Sequence, residues 1–414
     1  MRFGLLTQWY DPEPGPAALP GVLARGLRTA GHEVQVLTGF PNYPTGIVAQ
    51  GYRLRPKLDE RHGDVAVRRV VLYPNHNRST VRRVANYASF GLSAMTFGMG
   101  ALRGLDALWV NYSPITVAWP MWAARYALRI PSVAHVLDLW PDTVLAGGFA
   151  RNPRVFRAVS APLHAWCRGM YAAATSVAYI SPGVGEVLRS RGVADHKLHH
   201  VPMWADEDTF RPSREDLRQA LGIGEDRIVL LYAGALGEAQ GLSPLLDACA
   251  RVADPRFLAL IAGSGIAESS LRDQAEWMGL RNVRFLGRLP QNQMRKLMAT
   301  ADLCYVGLRP HTLSEVTMPS KTQSALAAGR ALVVAGAGDV VRTARESQAA
   351  FTADADDVEG IAKILASACA LGRTGLAEMG ARGRAYYERT FAARRGVDAV
   401  EALLLHAATE RVAA

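Results

Sequence analysis

The sequence predicts an α/β protein with two doubly wound parallel sheets, and three observations support this fold class. The strand candidates are short, continuous apolar runs, which are typical of parallel strands covered on both faces. Helical stretches separate these runs, and such strand–helix alternation is typical of doubly wound sheets. Each half of the chain also begins with a strand that leads into a glycine-containing loop, at residues 3–15 and 228–241.

Thirteen strands are predicted, seven in the first half of the chain and six in the second. The first seven are 2–7, 33–38, 65–72, 107–111, 132–138, 176–180 and 198–201. The other six are 228–233, 257–262, 283–286, 303–306, 331–334 and 350–352. Helices are expected between them, among others at 20–30, 242–253, 268–278 and 291–300.

A polar segment, 206–226, lies between the two sets of strands and contains the helix breaker Pro212. The sequence therefore predicts an N-terminal domain at 1–205 and a C-terminal domain at 206–392. A last helix, at about 393–409, follows the final strand. We expect residues 393–414 to return to the N-terminal domain.

The composition excludes several classes of protein. Of 414 residues, 49% are hydrophobic and 20% are charged, which is unlike a disordered chain. The four cysteines lie far apart, so a disulfide framework and a zinc ribbon are both disfavoured. Asp11 and two prolines interrupt the first apolar run, which disfavours a signal peptide. A cytoplasmic protein is expected.

The net charge of +10 suits nucleic acid, phosphate-bearing ligands or an anionic membrane. No nucleic-acid-binding motif is visible, so no nucleic-acid partner is expected. Residues 84–102 contain no charge and are flanked by Arg82, Arg83 and Arg103. Their polar residues and glycines favour a helix between two strands over a membrane span, with peripheral contact to the inner face of the membrane as an expectation.

Three places in the second half could bind an anion, because ligands of doubly wound sheets lie beyond the carboxyl ends of strands. The first is the loop from Gly234 to Gly241, and the second is Gly263, directly after a strand. The third is Ser320, a natural helix N-cap, followed by Lys321. A lysine in a first helical turn opposes the helix dipole unless an anion is bound there. A tight turn and a solvated lysine are the alternatives.

The chain resembles the family 4 glycosyltransferases, in the branch of bacterial O-antigen, capsule and exopolysaccharide assembly. The matching stretches are GHEVQVLT at 31–38, PNYPTG at 41–46, NYASF at 86–90, DLWPD at 138–142, ISPG at 180–183, LYAG at 231–234, FLG at 285–287, PSK at 319–321 and LAAGR at 326–330. The resemblance implies the GT-B fold, in which two Rossmann-like domains face a cleft.

The same resemblance implies transfer of a sugar from a nucleotide diphosphate-sugar, with retention of the anomeric configuration. The donor would bind the second domain, and a sugar, a lipid-linked or a small-molecule acceptor the first. No metal or other cofactor is expected, and the DxD-type clusters at 206–208 and 354–356 are interpreted as loop acids. The residues expected at the donor are Gly15, Gly237, Glu238, Gln240, Gly241, Gly263, Arg288, Leu289, Ser320, Lys321 and Ser324.

Several of these positions depart from the family pattern. Glu238 and Gln240 stand where a basic residue is common, and Ser324 replaces the second of two paired glutamates that contact the sugar and the ribose. Glu315 is the nearest candidate for the first glutamate, one residue out of register. A deoxyribose donor such as a dTDP-sugar, or another hydrogen-bonding arrangement, would be consistent with Ser324.

The catalytic candidates are Asp138, His135 and Glu315. Asp138 and His135 lie at the end of a predicted strand, where the resemblance places polar contacts to the sugars; a core histidine is the alternative for His135. The rival functions are a nucleotide-sugar 2-epimerase or hydrolase, a transferase that decorates a small-molecule natural product, a phosphorylase and a periplasmic sugar-binding protein.

Overall fold

The computed structural model describes residues 1–14, 19–75, 80–142, 153–311 and 313–413. The described chain forms two compact units, one of residues 1–203 with 393–414 and one of residues 204–392. The sequence-based boundary, between residues 205 and 206, lies two residues after the boundary between these units. All four cysteines are buried thiols without a disulfide.

The first unit contains an eight-stranded sheet in the order β3-β4-β2-β1-β5-β6-β7-β8. Its strands are β1 (Arg2–Leu6), β2 (Glu33–Gly39), β3 (Lys57–His62), β4 (Val65–Val70), β5 (Ala107–Asn111), β6 (Ser132–Val136), β7 (Ser176–Tyr179) and β8 (Leu198–His200). All neighbouring strands are parallel except β3, which pairs antiparallel with β4. The seven predicted strands of this half are confirmed, but β3 was missed and the expectation of a wholly parallel sheet is wrong.

The helices of the first unit cover both faces of its sheet. They are α1 (Leu19–Thr29), α2 (Thr80–Ser93), α3 (Met99–Leu102), α4 (Ala118–Tyr126), α5 (Pro153–Ala173), α6 (Pro182–Ser190) and, from the C-terminus, α13 (Ala393–Ala413). The crossovers from β4 to β5, β6, β7 and β8 run in one direction, so right-handed connections place α2 to α6 on one face. The connection from β1 to β2 runs the other way and places α1 on the opposite face.

The C-terminal helix α13 packs on that opposite face, beside α1 and across β5 and β6. A Cβ added at Gly26 would lie only 2.7 Å from Val397, so glycine allows the two helices to approach closely. The ring of His32 contacts Glu401 at 2.7 Å. These contacts explain why the chain returns to its first unit after the last strand.

The second unit contains a six-stranded parallel sheet in the order β11-β10-β9-β12-β13-β14. Its strands are β9 (Ile228–Ala233), β10 (Phe257–Ala262), β11 (Val283–Gly287), β12 (Leu303–Gly307), β13 (Ala331–Ala335) and β14 (Ala350–Ala353). Its helices are α7 (Leu242–Cys249), α8 (Glu268–Trp277), α9 (Met294–Thr300), α10 (Ser320–Ala327), α11 (Asp339–Ser347) and α12 (Val358–Thr390). All six predicted strands of this half are confirmed.

The central strands explain why continuous apolar runs identified the sheets. Every residue of β5, β6, β10, β12 and β13 is buried, on both faces. Burying a Val, Leu, Ile or Phe side chain contributes about 1.5–3 kcal/mol, so these strands carry much of the hydrophobic stabilisation.

The uncharged segment 84–102 is helical, as expected. It spans most of α2, a π-helical stretch (Ala94–Gly98) and α3. Among the described helices, none is both long and apolar enough to cross a membrane.

Candidate active site

Glycines follow the strands of the second sheet at its carboxyl edge, and their loops pack backbone against backbone. A Cβ at Gly263 would lie 1.8 Å from the Gly234 carbonyl oxygen, which no side chain allows. The Gly234 amide donates to the Ala262 carbonyl at 2.9 Å, and the Leu236 amide to the Ser264 carbonyl at 3.1 Å. The loops after β9 and β10 therefore form one rigid surface.

The side chain of Lys321 lies on this surface. A Cβ at Gly234 would be 2.5 Å from Lys321 Cε and 2.9 Å from Nζ, so the missing side chain makes room for the ammonium group. The Nζ atom lies 5.2 Å from the centroid of the Tyr232 ring. Burial lowers the pKa of Lys321, and no carboxylate among the described residues opposes that effect. This ammonium group is suited to an anionic ligand.

Lys321 belongs to the first turn of α10, and that end of the helix is uncapped. The N-cap is Pro319, with no side-chain capping hydrogen bond, and Ser320 is the first helical residue. The expectation that Ser320 is the N-cap is wrong, because Pro319 already has the extended backbone of a cap, with ψ of 128°. The open amides and the dipole of α10 add positive potential beside Lys321.

Two buried tyrosines hold the loop between β9 and α7 at its two ends. The Tyr232 hydroxyl donates to the Ala235 carbonyl. The Tyr305 hydroxyl, from the neighbouring strand β12, donates to the Gly241 carbonyl at 3.0 Å. Between these points, Gln240 Oε1 accepts from the Gly237 amide at 3.0 Å. The loop is therefore fixed before any ligand binds, which reduces the entropy cost of binding.

In the first unit, Glu13 joins the loops that follow β1 and β2. Its carboxylate accepts from the backbone amides of Tyr10 at 3.0 Å and of Asn42 and Tyr43, both at 2.8 Å. Burial raises the pKa of Glu13, against the hydrogen bonds, which lower it. Sequence analysis identified both loops but not the carboxylate that connects them. The expected donor residue Gly15, two positions further on, lies outside the described residues.

Buried uncharged polar groups also lie at the carboxyl edge of the first sheet, beside the guanidinium group of Arg69, which is paired with Glu60. Asn111 donates to the Thr7 hydroxyl at 3.1 Å, and Gln8 donates to Asn86 at 2.6 Å. Asp138 follows β6 at this edge and is exposed. The surrounding protein separates the carboxyl group of Asp138 from bulk water, and this desolvation raises its pKa. A hydrogen bond with Ser113 opposes the shift. Such groups are suited to bind hydroxyls rather than phosphates.

His135 is a core histidine, and the expectation that it is catalytic is corrected. The side chain is fully buried. Its Nε2 lies 2.9 Å from the Val201 carbonyl, and its Nδ1 accepts from the Trp109 indole at 3.4 Å. Burial lowers the pKa of His135 to about 4. With both ring nitrogens bonded inside the unit, none is left for a substrate.

Two family models match the chain, one on each unit. The model described as "Glycosyl transferase 4-like domain" matches residues 15–204, and the model described as "Glycosyl transferases group 1" matches residues 227–370. The chain belongs to the family 4, or group 1, glycosyltransferases. The sequence-based assignment of the family is confirmed.

Two bacterial relatives of this chain are also named as glycosyltransferases. WcaI of Escherichia coli (strain K12), named as a glycosyl transferase of colanic acid biosynthesis, is 27% identical over 78% of this chain and 81% of its own. WbjE of Pseudomonas aeruginosa, also named as a glycosyltransferase, is 22% identical over 72% and 74%.

Similar solved structures establish the GT-B fold of this glycosyltransferase. Sucrose-phosphate synthase from Thermosynechococcus elongatus aligns with a TM-score of 0.72 at 16% identity, over 98% of both chains. HepE of Anabaena in complex with UDP and glucose aligns with a TM-score of 0.69 at 17% identity, over 98% of this chain and 100% of that one.

The remaining predicted donor residues have mixed surroundings in the glycosyltransferase. Glu238 and Arg288 are exposed, whereas Leu289 is half-buried and packs against the core of the second unit. The backbone of Glu315 lies against Gly338, and its carbonyl accepts from the Asp339 amide at 2.7 Å, while its side chain is exposed. In the described part of the chain, no three His, Cys, Asp or Glu side chains are grouped closely enough to hold a metal ion.

Ser324 is half-buried on α10. Beside it, the side-chain oxygens of Thr322 and Gln323 are buried and have no hydrogen-bond partner among the described residues. The Oε1 of Gln323 is therefore available to accept from a hydroxyl, which is one form of the other hydrogen-bonding arrangement considered above for Ser324.

Proposed function

We propose that this glycosyltransferase moves a sugar from a nucleotide diphosphate-sugar to an acceptor hydroxyl, with retention of the anomeric configuration. The observation that carries the proposal is the ammonium group of Lys321, which lies against Gly234 and has no carboxylate partner among the described residues. A partly desolvated cation without a counter-ion is unfavourable, and a bound diphosphate would supply the missing negative charge.

The surroundings of Lys321 support a diphosphate over a carboxylate ligand. Backbone N–H groups at the open end of α10 and in the loops add positive potential and several hydrogen-bond donors, as they do in phosphate sites at helix N-termini. The HepE structures with UDP and with UDP-glucose, which share this fold, support the same ligand class.

The proposed reaction needs little acid–base chemistry from the protein. The bond between the anomeric carbon and the diphosphate oxygen breaks, and the acceptor oxygen attacks on the same face of the sugar. The leaving oxygen takes the proton of the acceptor hydroxyl. Lys321 and the helix end stabilise the charge that develops on the diphosphate, so no metal ion is required in this proposal.

We propose a role in bacterial surface polysaccharide or glycoconjugate assembly. The names of WcaI and of the lipopolysaccharide glycosyltransferase WaaG, which aligns with a TM-score of 0.61, support this role. The four buried free thiols support a reducing, cytoplasmic location. None of the relatives reported above is named as an epimerase or a hydrolase.

The function is tested by incubating the protein with UDP-, GDP-, ADP- and dTDP-sugars and a lipid extract or oligosaccharide acceptors. We expect release of one nucleoside diphosphate that depends on acceptor, persists in EDTA, and gives a product of unchanged anomeric configuration by NMR. Turnover that EDTA abolishes and Mn²⁺ restores would contradict the metal-independent mechanism. Sugar release or epimerisation at full rate without acceptor would contradict transfer.

A further inference from the structure

Helices α2 to α5, on one face of the first sheet, contain no acidic residue, whereas the next helix on that face, α6, contains Glu186. These helical segments, 80–102, 118–126 and 153–173, follow one another through three successive crossovers. Neither Asp nor Glu occurs in them, whereas six arginines do. On the opposite face, α13 alone carries Asp398, Glu401 and Glu410. Because α13 also carries Arg394, Arg395 and Arg411, its charged side chains balance, whereas those of α2 to α5 are all positive.

The same face exposes large apolar side chains. Val81, Val84 and Leu92 recur at helical spacing on one side of α2, and they are 77%, 50% and 56% exposed. Phe97, in the π-helical stretch, is 41% exposed, and Tyr126 at the end of α4 is 69% exposed. Such a concentration of exposed apolar groups marks an interaction surface.

Arginines lie at both ends of this apolar surface. Arg82, Arg103 and Arg125 are exposed, and none of them forms an ion pair among the described residues. Half-buried tryptophans lie between α4 and α5, where Trp122 and Trp119 pack on Trp166 with ring centroids 4.8 and 5.9 Å apart. Tryptophan and arginine around an apolar face are typical of surfaces that contact lipid headgroups.

We propose that this face, formed by α2, the π-helical stretch, α3, α4 and α5, binds the surface of an anionic lipid bilayer. The arginines would bind lipid phosphates, and Val84, Leu92 and Phe97 would enter the headgroup–acyl boundary. Nucleic acid would use the arginines but leave the apolar side chains in water. The proposal gives a partner to the proposed function, because a lipid-linked acceptor would be presented at that surface.

The test is flotation of the full-length protein with vesicles of phosphatidylcholine alone or with 30% phosphatidylglycerol, chosen as a standard anionic lipid. We expect binding to the anionic vesicles only, and loss of binding in 0.5 M NaCl because salt screens the attraction. Combined substitution Arg82→Gln, Arg103→Gln and Arg125→Gln should weaken binding roughly 100-fold. The matched control, Arg211→Gln with Arg214→Gln and Arg281→Gln, removes the same charge from exposed sites of the second unit and should bind as the parent.

The apolar contribution is tested separately. The double variant Val84→Ser with Leu92→Ser should also bind vesicles at least tenfold more weakly. Its control, Ile266→Ser with Trp277→Ser, changes exposed apolar residues of the second unit and should have no effect. Equal losses in test and control variants, no binding to anionic vesicles, or binding to duplex DNA in preference to vesicles would each overturn the proposal. Nucleoside diphosphate affinity, measured on the same samples, reports on folding and on the proposed function independently.

Discussion

The carboxyl edges of the two sheets have the same strand geometry but different chemistry. In the second unit this edge consists of glycine loops, backbone amides and one ammonium group, that of Lys321. In the first unit it includes uncharged side chains such as Asn111 and Gln8, the carboxyl groups of Glu13 and Asp138, and the buried guanidinium group of Arg69, which is paired with Glu60. Backbone amides and a cation suit a phosphate, whereas side-chain amides and hydroxyls suit the hydroxyls of a sugar. The fold therefore positions loops, and the residues on them determine the ligand.

The largest expected effect concerns His135 and the pH dependence of the stability of the first unit. Because burial lowers its pKa to about 4, the unfolded chain takes up a proton first as the pH falls. This residue then reduces the free energy of unfolding between about pH 6.5 and 4, by up to about 3 kcal/mol. Urea denaturation of the parent and of His135→Gln at several pH values should show this difference in slope. A catalytic role for His135 would be indicated if the variant lost one limb of the pH–activity profile while its free energy of unfolding kept the pH dependence of the parent.

The next effect concerns Glu13. In Glu13→Gln the side-chain amide group would face the Tyr10 amide, so one of three backbone donors loses its acceptor. A buried donor without a partner costs about 1–3 kcal/mol, which should lower the melting temperature and the turnover. We expect the affinity for UDP, measured by calorimetry, to stay within about twofold of the parent. A loss of UDP affinity as large as the loss of turnover would break the division of roles between the two units.

A smaller effect is expected from Tyr232→Phe, which removes the hydroxyl that holds Ala235 but keeps the ring beside Lys321. Losing one buried hydrogen bond costs about 1 kcal/mol, and the looser loop should weaken UDP binding by up to about tenfold. The control is Tyr112→Phe in the first unit, where the hydroxyl contacts Tyr171 at 2.8 Å. That variant should lose similar stability without losing UDP affinity. Equal affinity losses in both variants would point to a general effect of stability.

The smallest effect concerns ribose recognition by Ser324. A serine discriminates less sharply than a carboxylate that accepts from two ribose hydroxyls. We therefore expect UDP and dUDP to bind within about tenfold of each other, or about 1.4 kcal/mol. A larger preference for UDP would indicate that another acceptor, such as the unpaired Oε1 of Gln323, contacts the ribose. Comparing the parent with Gln323→Leu would then identify that acceptor.

The sheets were predictable because buried parallel strands need apolar side chains on both faces. Strand β3 was missed for the opposite physical reason. Four of its six residues, KLDERH, are charged, and exposed and half-buried positions alternate along it. Its stability comes from cross-strand pairs, with Arg68 bound to Asp59 and Arg69 to Glu60, both at 2.6 Å. Such pairs depend on register, which a single strand does not reveal.

The proposed donor site was predictable where a residue type has one strong reason to occur. Glycine after a strand and lysine at a helix N-terminus are of this kind, and Gly234 and Lys321 do lie together. Glu13 and Tyr232 were not predicted, because their residue types are common in cores and loops. Glu13 accepts from backbone amides about thirty residues away, and Tyr232 donates to a backbone carbonyl. His135 was predicted as a site residue because it lies near the end of a short apolar strand. Its role depends instead on the contacts of its two ring nitrogens, which the sequence does not show.

Calorimetry of UDP binding to the parent and to Lys321→Ala tests most directly whether Lys321 binds the diphosphate of the donor. We expect a loss of about 1–3 kcal/mol in the free energy of UDP binding, the range for a charge-assisted contact. A much smaller loss is expected for uridine, which has no phosphate. Arg281→Ala, which removes an exposed cation of the same unit that is not among the expected donor residues, is the comparison variant. Unchanged UDP affinity in Lys321→Ala, in a variant that melts like the parent, would contradict the account.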